Sequence, residues 1–427
     1  MYIKSIELKN FRCYEKLKAD FNREYTVLVG INGAGKSSLL DAVITALGSY
    51  LAGFDGIPSN GIQQDDVRLT TQELGSRIDT EPQYPTEISC TGDFEGREIA
   101  WKRSLRSKNG RTIIVDARPV MDYGKYLQKF VSAGDKNVIL PVIACYGTGR
   151  LYFQKQLRSK NTIGDKTRRT NGYLDCLNPA ANDRMLMKWF EQMTAIQIQE
   201  QKHVPELDAV RSAMERCFAS EPGISEVSAE YRMKSQEIEL SYLQNGIREK
   251  MPLRLLSDGI RTTLSMVADI AYRMAELNPQ LLDQVLVQTP GVVLIDEIDM
   301  HLHPAWQKHI MSDLHTVFPK VQFIVTTHAP SVLANVADEH ILLLKDNQIY
   351  APDHRTYGRN IDSIMLQLMG VDARPAEISE KLRLFYDLLT EEKYEKARNV
   401  LDELEQILGE NDSDVVEART SYDVEQI

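Results

Sequence analysis

Eight consecutive residues, Gly30-Ile31-Asn32-Gly33-Ala34-Gly35-Lys36-Ser37, match the pattern G-x-x-x-x-G-K-S. The chemistry of that pattern is the cradling of phosphate. Backbone N–H groups of a tight turn converge on the anion, and the following helix points the positive end of its dipole at it. Glycine is needed where a side chain would block close approach or where φ must be positive. Asn32, Gly33, Gly35 and Ser38 are the expected lining. Lys36 is expected to reach the β- and γ-phosphates, and the Ser37 hydroxyl to ligate Mg²⁺. Downstream, Asp296-Glu297 supplies two carboxylates for two tasks. Asp296 would hold the hydration shell of Mg²⁺, and Glu297 would orient or deprotonate an attacking water. His328 closes another apolar run, at a position suited to sensing a γ-phosphate. A strand-end histidine alone is commonly structural; its spacing to the other sets favours the functional reading. These residues predict binding of a nucleoside triphosphate.

Such side chains need elements that deliver them to one place. Tyr25–Val29 reads as a strand entering the glycine loop, and Ser38–Leu47 as the helix leaving it. Val292–Ile295 and Val321–Thr326 are short and apolar throughout, as parallel strands covered on both faces should be. Further strands are expected within 1–29, linked by Asn10–Tyr14, at Val138–Cys145, across 226–243 and at Ile341–Leu344. Residues 86–116 alternate like antiparallel strands, and Asn109-Gly110 is a strong hairpin turn signal. Apolar spacing predicts helices over 183–219, over Arg261–Leu277 and through the tail from Glu377, where two stripes resemble a tetratricopeptide-like hairpin. The segment between Ser37 and Leu256 sustains no heptads and should form a compact lobe, not coiled-coil arms.

The chain of 427 residues is 43% hydrophobic and 26% charged, enough for a substantial core. No apolar run approaches a membrane span, and the amino-terminal residues lack the apolar core and cleavage site of a signal peptide. The five cysteines form no C-x-x-C pair and read as reduced, consistent with a cytoplasmic protein. The formal charge of −11 is concentrated in residues 376–427, which hold 15 acidic and 6 basic side chains. His301 and His303 alternate on an extended segment, and a zinc site would need further ligands.

In order along the chain, the glycine loop, Leu256-Ser257-Asp258-Gly259, Val292-Val293-Leu294-Ile295-Asp296-Glu297 and the His328 strand resemble the ABC-type ATPase head. Asp258 and Ile260-Arg261 depart from the transporter signature L-S-G-G-Q. They look like the RecF/SMC-like and OLD-type heads, as do Ile6–Arg12 and Asp296–Pro304. The resemblance implies an α/β P-loop fold with a mixed central sheet, a compact inserted lobe and a helical carboxy-terminal tail. The expected division is 1–150 for the amino-terminal lobe, 151–250 for the insertion, 251–352 for the carboxy-terminal lobe and 353–427 for the tail. ATP and Mg²⁺ are the implied ligands. ATP would be sandwiched in a homodimer, with the loop of one subunit facing Ser257 and Gly259 of the other. Arg12 would lie near the base or ribose, and either Gly48–Arg68 or Gln154 would supply the Q-loop glutamine. Glu297, His328 and Lys36 are the implied catalytic residues.

Across the whole chain the resemblance is to the PtuA family of Septu antiphage ATPases and to related retron-linked systems. It rests on Tyr146-Gly147-Thr148-Gly149-Arg150-Leu151, the compact insertion, the LSDG signature and Tyr357–Ile361 before an acidic tail. It implies a homodimer or higher oligomer controlling a separate HNH nuclease (PtuB-like), with the tail as candidate docking region. Two basic clusters, Lys155–Arg169 and Trp101–Arg111, are either solvated loops or DNA-backbone contacts. A RecF-like repair ATPase is the alternative. An OLD-type nuclease is disfavoured because the D-x-D at Asp412-Ser413-Asp414 lies between helices, and a membrane transporter is disfavoured by the signature.

Overall fold

The computed structural model describes residues 1–74, 77–151, 168–178, 183–372 and 374–425. Its centre is a six-stranded sheet in the order Gln348–Tyr350, Ile341–Lys345, Tyr25–Val29, Val321–Thr326, Gly291–Ile295, Val142–Tyr146. All neighbouring pairs run parallel except the edge hairpin of Ile341–Lys345 with Gln348–Tyr350. Three of these strands are buried at every residue, which is why they read as unbroken apolar runs. Because Tyr25–Val29, Val321–Thr326, Gly291–Ile295 and Val142–Tyr146 are parallel, their carboxyl ends share one edge. In open α/β sheets that edge is where ligands bind.

A second sheet is antiparallel, ordered Tyr14–Asp20, Tyr2–Phe11, Thr86–Phe94, Arg97–Leu105. Burial alternates strictly along Thr86–Phe94, the period-2 signature of a sheet with one covered face. That face packs on the helix Lys36–Leu51, to whose Ala46 carbonyl the Trp101 indole donates a 3.0 Å hydrogen bond. The hairpin turn in this sheet is Glu95-Gly96, both with positive φ (56° and 82°). The expected turn at Asn109-Gly110 is present beyond the strand, where the Gly110 N–H donates to the Ser107 carbonyl at 3.0 Å, but it joins only one isolated bridge, Ser104 with Ile113, and not two strands. Likewise Val142–Tyr146, and not the whole of 138–145, is strand; Leu140 instead exchanges backbone bonds with the Asn278 side chain.

The segment between the loop helix and Ser257 folds compactly, as expected. Helices Asp183–Glu200 and Pro205–Phe218 replace the single periodic stretch over 183–219, the break falling where Pro205 starts a new first turn. A three-stranded antiparallel sheet, Ile224–Arg232, Glu237–Gln244 and Ile247–Pro252, leads into the helix Asp258–Leu277. Among the described residues no helix is long and apolar enough to cross a membrane.

Contacts divide the chain between Gly358 and Arg359 into two compact units. The second contains helices Ile361–Met369, Ala376–Thr390, Tyr394–Leu408 and Ser413–Glu425. It has its own core of Phe385, Leu401, Leu404, Val415 and Ala418, with Ile378, Leu389, Ala397 and Tyr422 around it. Asp412 and Asp414 are both ion-paired to Arg374, at 2.7 and 2.5 Å. The D-x-D pair is thus a structural clasp at the start of the last helix. Leu401→Ala should destabilise this unit by about 2–5 kcal/mol through the cavity it leaves. Hydrogen exchange should then accelerate across the four tail helices while Lys36–Leu51 keeps its protection.

Candidate functional site

The glycine loop closes tightly on its surroundings. A Cβ at Gly30 would lie 2.4 Å from the Leu344 carbonyl oxygen, and one at Gly35 would lie 2.2 Å from the Tyr14 hydroxyl and 2.8 Å from Cys13 Sγ. Gly33 and Gly35 have φ of 82° and 95°, so Gly35 is demanded by both space and conformation, Gly33 by conformation alone. Gly35 starts the helix Lys36–Leu51 with no side-chain cap, which leaves its first N–H groups to an anion. Lys36 Nζ donates to the carbonyls of Gly30 (2.8 Å) and Ile31 (3.1 Å). Burial lowers the Lys36 pKa, opposed by Asp296, Glu297 and Asp299. Asn32, Gly33 and Ser37 are exposed, Ser38 is half-buried, and Ile31 at the tip is 64% exposed.

The strand ends bring the remaining groups to this loop. Ser37 Oγ donates to Asp296 Oδ2 at 2.9 Å, across 259 residues of sequence. Thr326 Oγ1 donates to Asp296 Oδ1 at 2.6 Å and accepts the Glu297 N–H at 2.7 Å. Glu297 sits in the left-handed region (φ 51°), a conformation that costs a non-glycine residue free energy and turns the chain sharply after the strand. Thr327 Oγ1 donates to Asp299 Oδ1 at 2.5 Å, which steadies the turn into half-buried His328. Sequence reasoning named Asp296, Glu297 and His328 but missed Thr326, Thr327 and Asp299. The available signal was a Thr-Thr pair ending an otherwise apolar strand.

These donors suit a magnesium nucleotide. Mg²⁺ prefers hard oxygen ligands and keeps several waters, and the adjacent Ser37 hydroxyl and Asp296 carboxylate provide two such oxygens. Among the described residues no three His, Cys, Asp or Glu side chains converge as a metal cluster. Phosphate and water oxygens would therefore complete the ion's shell. His303 Nδ1 accepts the Ala305 N–H at 3.2 Å and so caps the short helix Pro304–Gln307.

Ser257 and Gly259 stand at the head of Asp258–Leu277. Ser257 is exposed and makes no side-chain cap bond. Gly259 is buried, and a Cβ there would lie 2.1 Å from the His301 carbonyl oxygen. The signature turn is therefore seated on the loop that follows Asp296-Glu297. Arg12, itself at φ 49°, is committed to two carboxylates: it pairs with Asp41 on the loop helix and with Asp66 at 2.9 Å. Its neighbours Cys13 and Tyr14 are the groups that abut Gly35.

The basic clusters are reduced by their packing. Arg103 is 4% exposed, donates to the Asn60 and Thr45 carbonyls, and is pushed down to about 10 by burial; Lys102 pairs with Glu87 at 2.6 Å. Arg169 bonds the Leu277 and Val138 carbonyls. Arg103 and Arg169 thus hold the fold, whereas Arg106, Lys108, Arg111 and Arg168 are exposed. Lys155, Arg158, Lys160 and Lys166, and the candidate Q-loop Gln154, lie outside the described residues. Thr326→Val should cost about 1–3 kcal/mol of stability by leaving buried polar groups unpaired. It should also weaken Mg²⁺-dependent nucleotide binding, measured by titration calorimetry with and without the metal.

Comparison with known proteins agrees with this geometry. The AAA_23 family model, described as an AAA domain, matches residues 5–249. The Retron Ec83 probable ATPase of Escherichia coli is 27% identical over 490 aligned positions, covering 98% of this chain and 86% of that protein. The Septu protein PtuA of Bacillus mycoides (strain KBAB4) is 24% identical over 94% of this chain, which spans 50% of that protein. Among solved structures, the SMC head domain from Thermotoga maritima aligns at 17% identity with a TM-score of 0.45, covering 83% of this chain and 100% of that one. The expected likeness to retron-linked and Septu ATPases is borne out by these relatives. With the family model covering more than half of its length, the chain belongs to the AAA_23 family of AAA domains.

Proposed function

We propose that the chain binds and hydrolyses ATP at a site completed by a second copy of itself. It would use that cycle to control a separate HNH-type nuclease in antiphage defence. The observation that carries the hydrolytic reading is the 2.9 Å contact of Ser37 Oγ with Asp296 Oδ2, beside Lys36 and an uncapped helix start. It supports a metal-ligating role for Ser37 and Asp296 close to Lys36 and the uncapped helix start, with Glu297 next in sequence.

Each residue then has a physical task. Loop N–H groups and Lys36 neutralise the phosphate oxygens in a preorganised setting, where reorganisation costs little. Ser37 and Asp296 would hold Mg²⁺, which would supply positive charge against the charge developing on the phosphates. Glu297 would orient water in line and take its proton. His328 would donate to the γ-phosphate, with Thr327 and Asp299 fixing its turn. Ser257 and the uncapped N–H groups behind it supply the matching donors to a nucleotide held by the partner subunit. The open, exposed start of that helix supports the two-chain reading.

Similarity to Septu PtuA and to a retron ATPase supports the defence role. The separately packed acidic tail is the proposed docking unit for that partner.

Two variants separate binding from turnover. Glu297→Gln should retain ATP and slow hydrolysis by about 10²–10⁴-fold, the range for loss of a general base. Ser257→Arg should abolish ATP-dependent self-association and turnover while a single subunit still binds ATP; unchanged turnover would sink the two-chain site. Copurification from the native host with mass spectrometry should recover an HNH-type nuclease, and recovery of recombination factors instead would overturn the defence role.

A further inference from the structure

One buried polar cluster is not used by the site described above. Tyr146 ends the strand Val142–Tyr146, which pairs with Gly291–Ile295 in a register that sets Tyr146 opposite Ile295. Its carbonyl accepts the Asp296 N–H at 2.8 Å. Its phenol turns the other way and donates to Asp269 Oδ2 at 2.6 Å. The same oxygen accepts Arg273 Nε at 2.8 Å, and Arg273 Nη1 donates to the carbonyls of Gly172 and Leu174, each at 2.9 Å. Tyr146, Asp269 and Arg273 are 2%, 7% and 6% exposed. Asp269 and Arg273 belong to Asp258–Leu277, the helix that begins at Ser257.

A buried ion pair is a poor device for stability, since well-packed apolar residues of similar size commonly do as well. What it does provide is a defined geometry. Here, one residue is bonded through its carbonyl to the backbone N–H of Asp296 and through its side chain to the signature helix. At 1.5 Å per residue, Asp269 lies about 18 Å along that helix from Ser257, and a helix moves over such a length as a rigid rod.

We propose that Tyr146 is a positioning residue that couples the Ser257 helix to Asp296 and Glu297. The seating of a partner's nucleotide at the helix start is thereby transmitted to the hydrolytic carboxylates. The inference rests on the two-subunit reading of the site. Displacement of the helix pulls on the phenol through Asp269, and the strand end carries that pull to the Asp296 backbone. Arg273 orients Asp269 and ties the 172–174 segment into the same link.

Tyr146→Phe removes one O–H group and keeps the ring. In the full-length protein, kcat should fall by about fivefold or more, with ATP affinity within twofold of wild type and a melting temperature within a few degrees. Asp269→Asn, which keeps the shape and an acceptor but loses the charge, should lower kcat in the same direction. The decisive measurement is a double-mutant cycle with Ser257→Ala. If both residues act along one path, the double variant should be no slower than the slower single variant. Additive losses, or a Tyr146→Phe variant with wild-type kcat, would overturn the coupling. So would a fall in kcat matched by equal losses of affinity and melting temperature. Wild-type protein that fails to pair in ATP would overturn the two-subunit reading itself, whereas pairing and turnover unaffected by Tyr146→Phe would remove the coupling alone.

Discussion

The position of Asp296 is the constraint on which the site depends. A carboxylate at the end of a fully buried strand must have its oxygens met, because leaving a charge unpaired there is costly. Both oxygens are met by hydroxyls, Ser37 on one side and Thr326 on the other. Those two residues come from the loop helix and from the adjacent parallel strand, so satisfying one carboxylate locks three elements together. The backbone N–H of the same residue is held by a fourth, through Tyr146. Anything that shifts one of these elements changes what the carboxylate can offer a metal.

Close approach is the second constraint. Gly30, Gly35 and Gly259 stand where a single methyl group would strike a carbonyl, a phenol or a thiol. At Gly259 the contact is with His301, itself at φ 61°, so the signature turn and the segment after Glu297 are fitted to one another without side chains between them. Atoms this close move together. The site is therefore a set of strand ends and turns in contact, not a pocket lined by independent side chains.

Most of the central sheet and the groups gathered at the candidate site were readable because their requirements are local. A phosphate loop needs particular residue types within eight positions, and buried parallel strands need continuous apolar runs. What escaped reading depends on distant partners. Nothing near Tyr146 announces Asp269, 123 residues away, and nothing near Thr326 announces Asp296. Asn109-Gly110 is a turn as read, but the strand-joining turn at Glu95-Gly96 went unread because turn propensity cannot see which register the neighbouring strand Tyr2–Phe11 will accept. Arg103 is a different case. It shares a strand face with Trp101 and Leu105, both buried, so period-2 alternation already placed it inside, and counting its charge as surface was avoidable.

The two margins of the central sheet bear on how copies of the chain can meet. A sheet edge with free N–H and C=O groups invites a foreign strand, and long flat edges are aggregation templates. One margin here is only three residues long, Gln348–Tyr350, bent back by Asp346 and Asn347 in left-handed conformations. The opposite margin, Val142–Tyr146, is buried throughout. Neither offers a landing place for strand addition. In the two-copy site proposed above, the central sheet would therefore be kept out of backbone zippering, which is hard to undo, leaving contacts among turns and helix ends, which a small bound molecule can make and break.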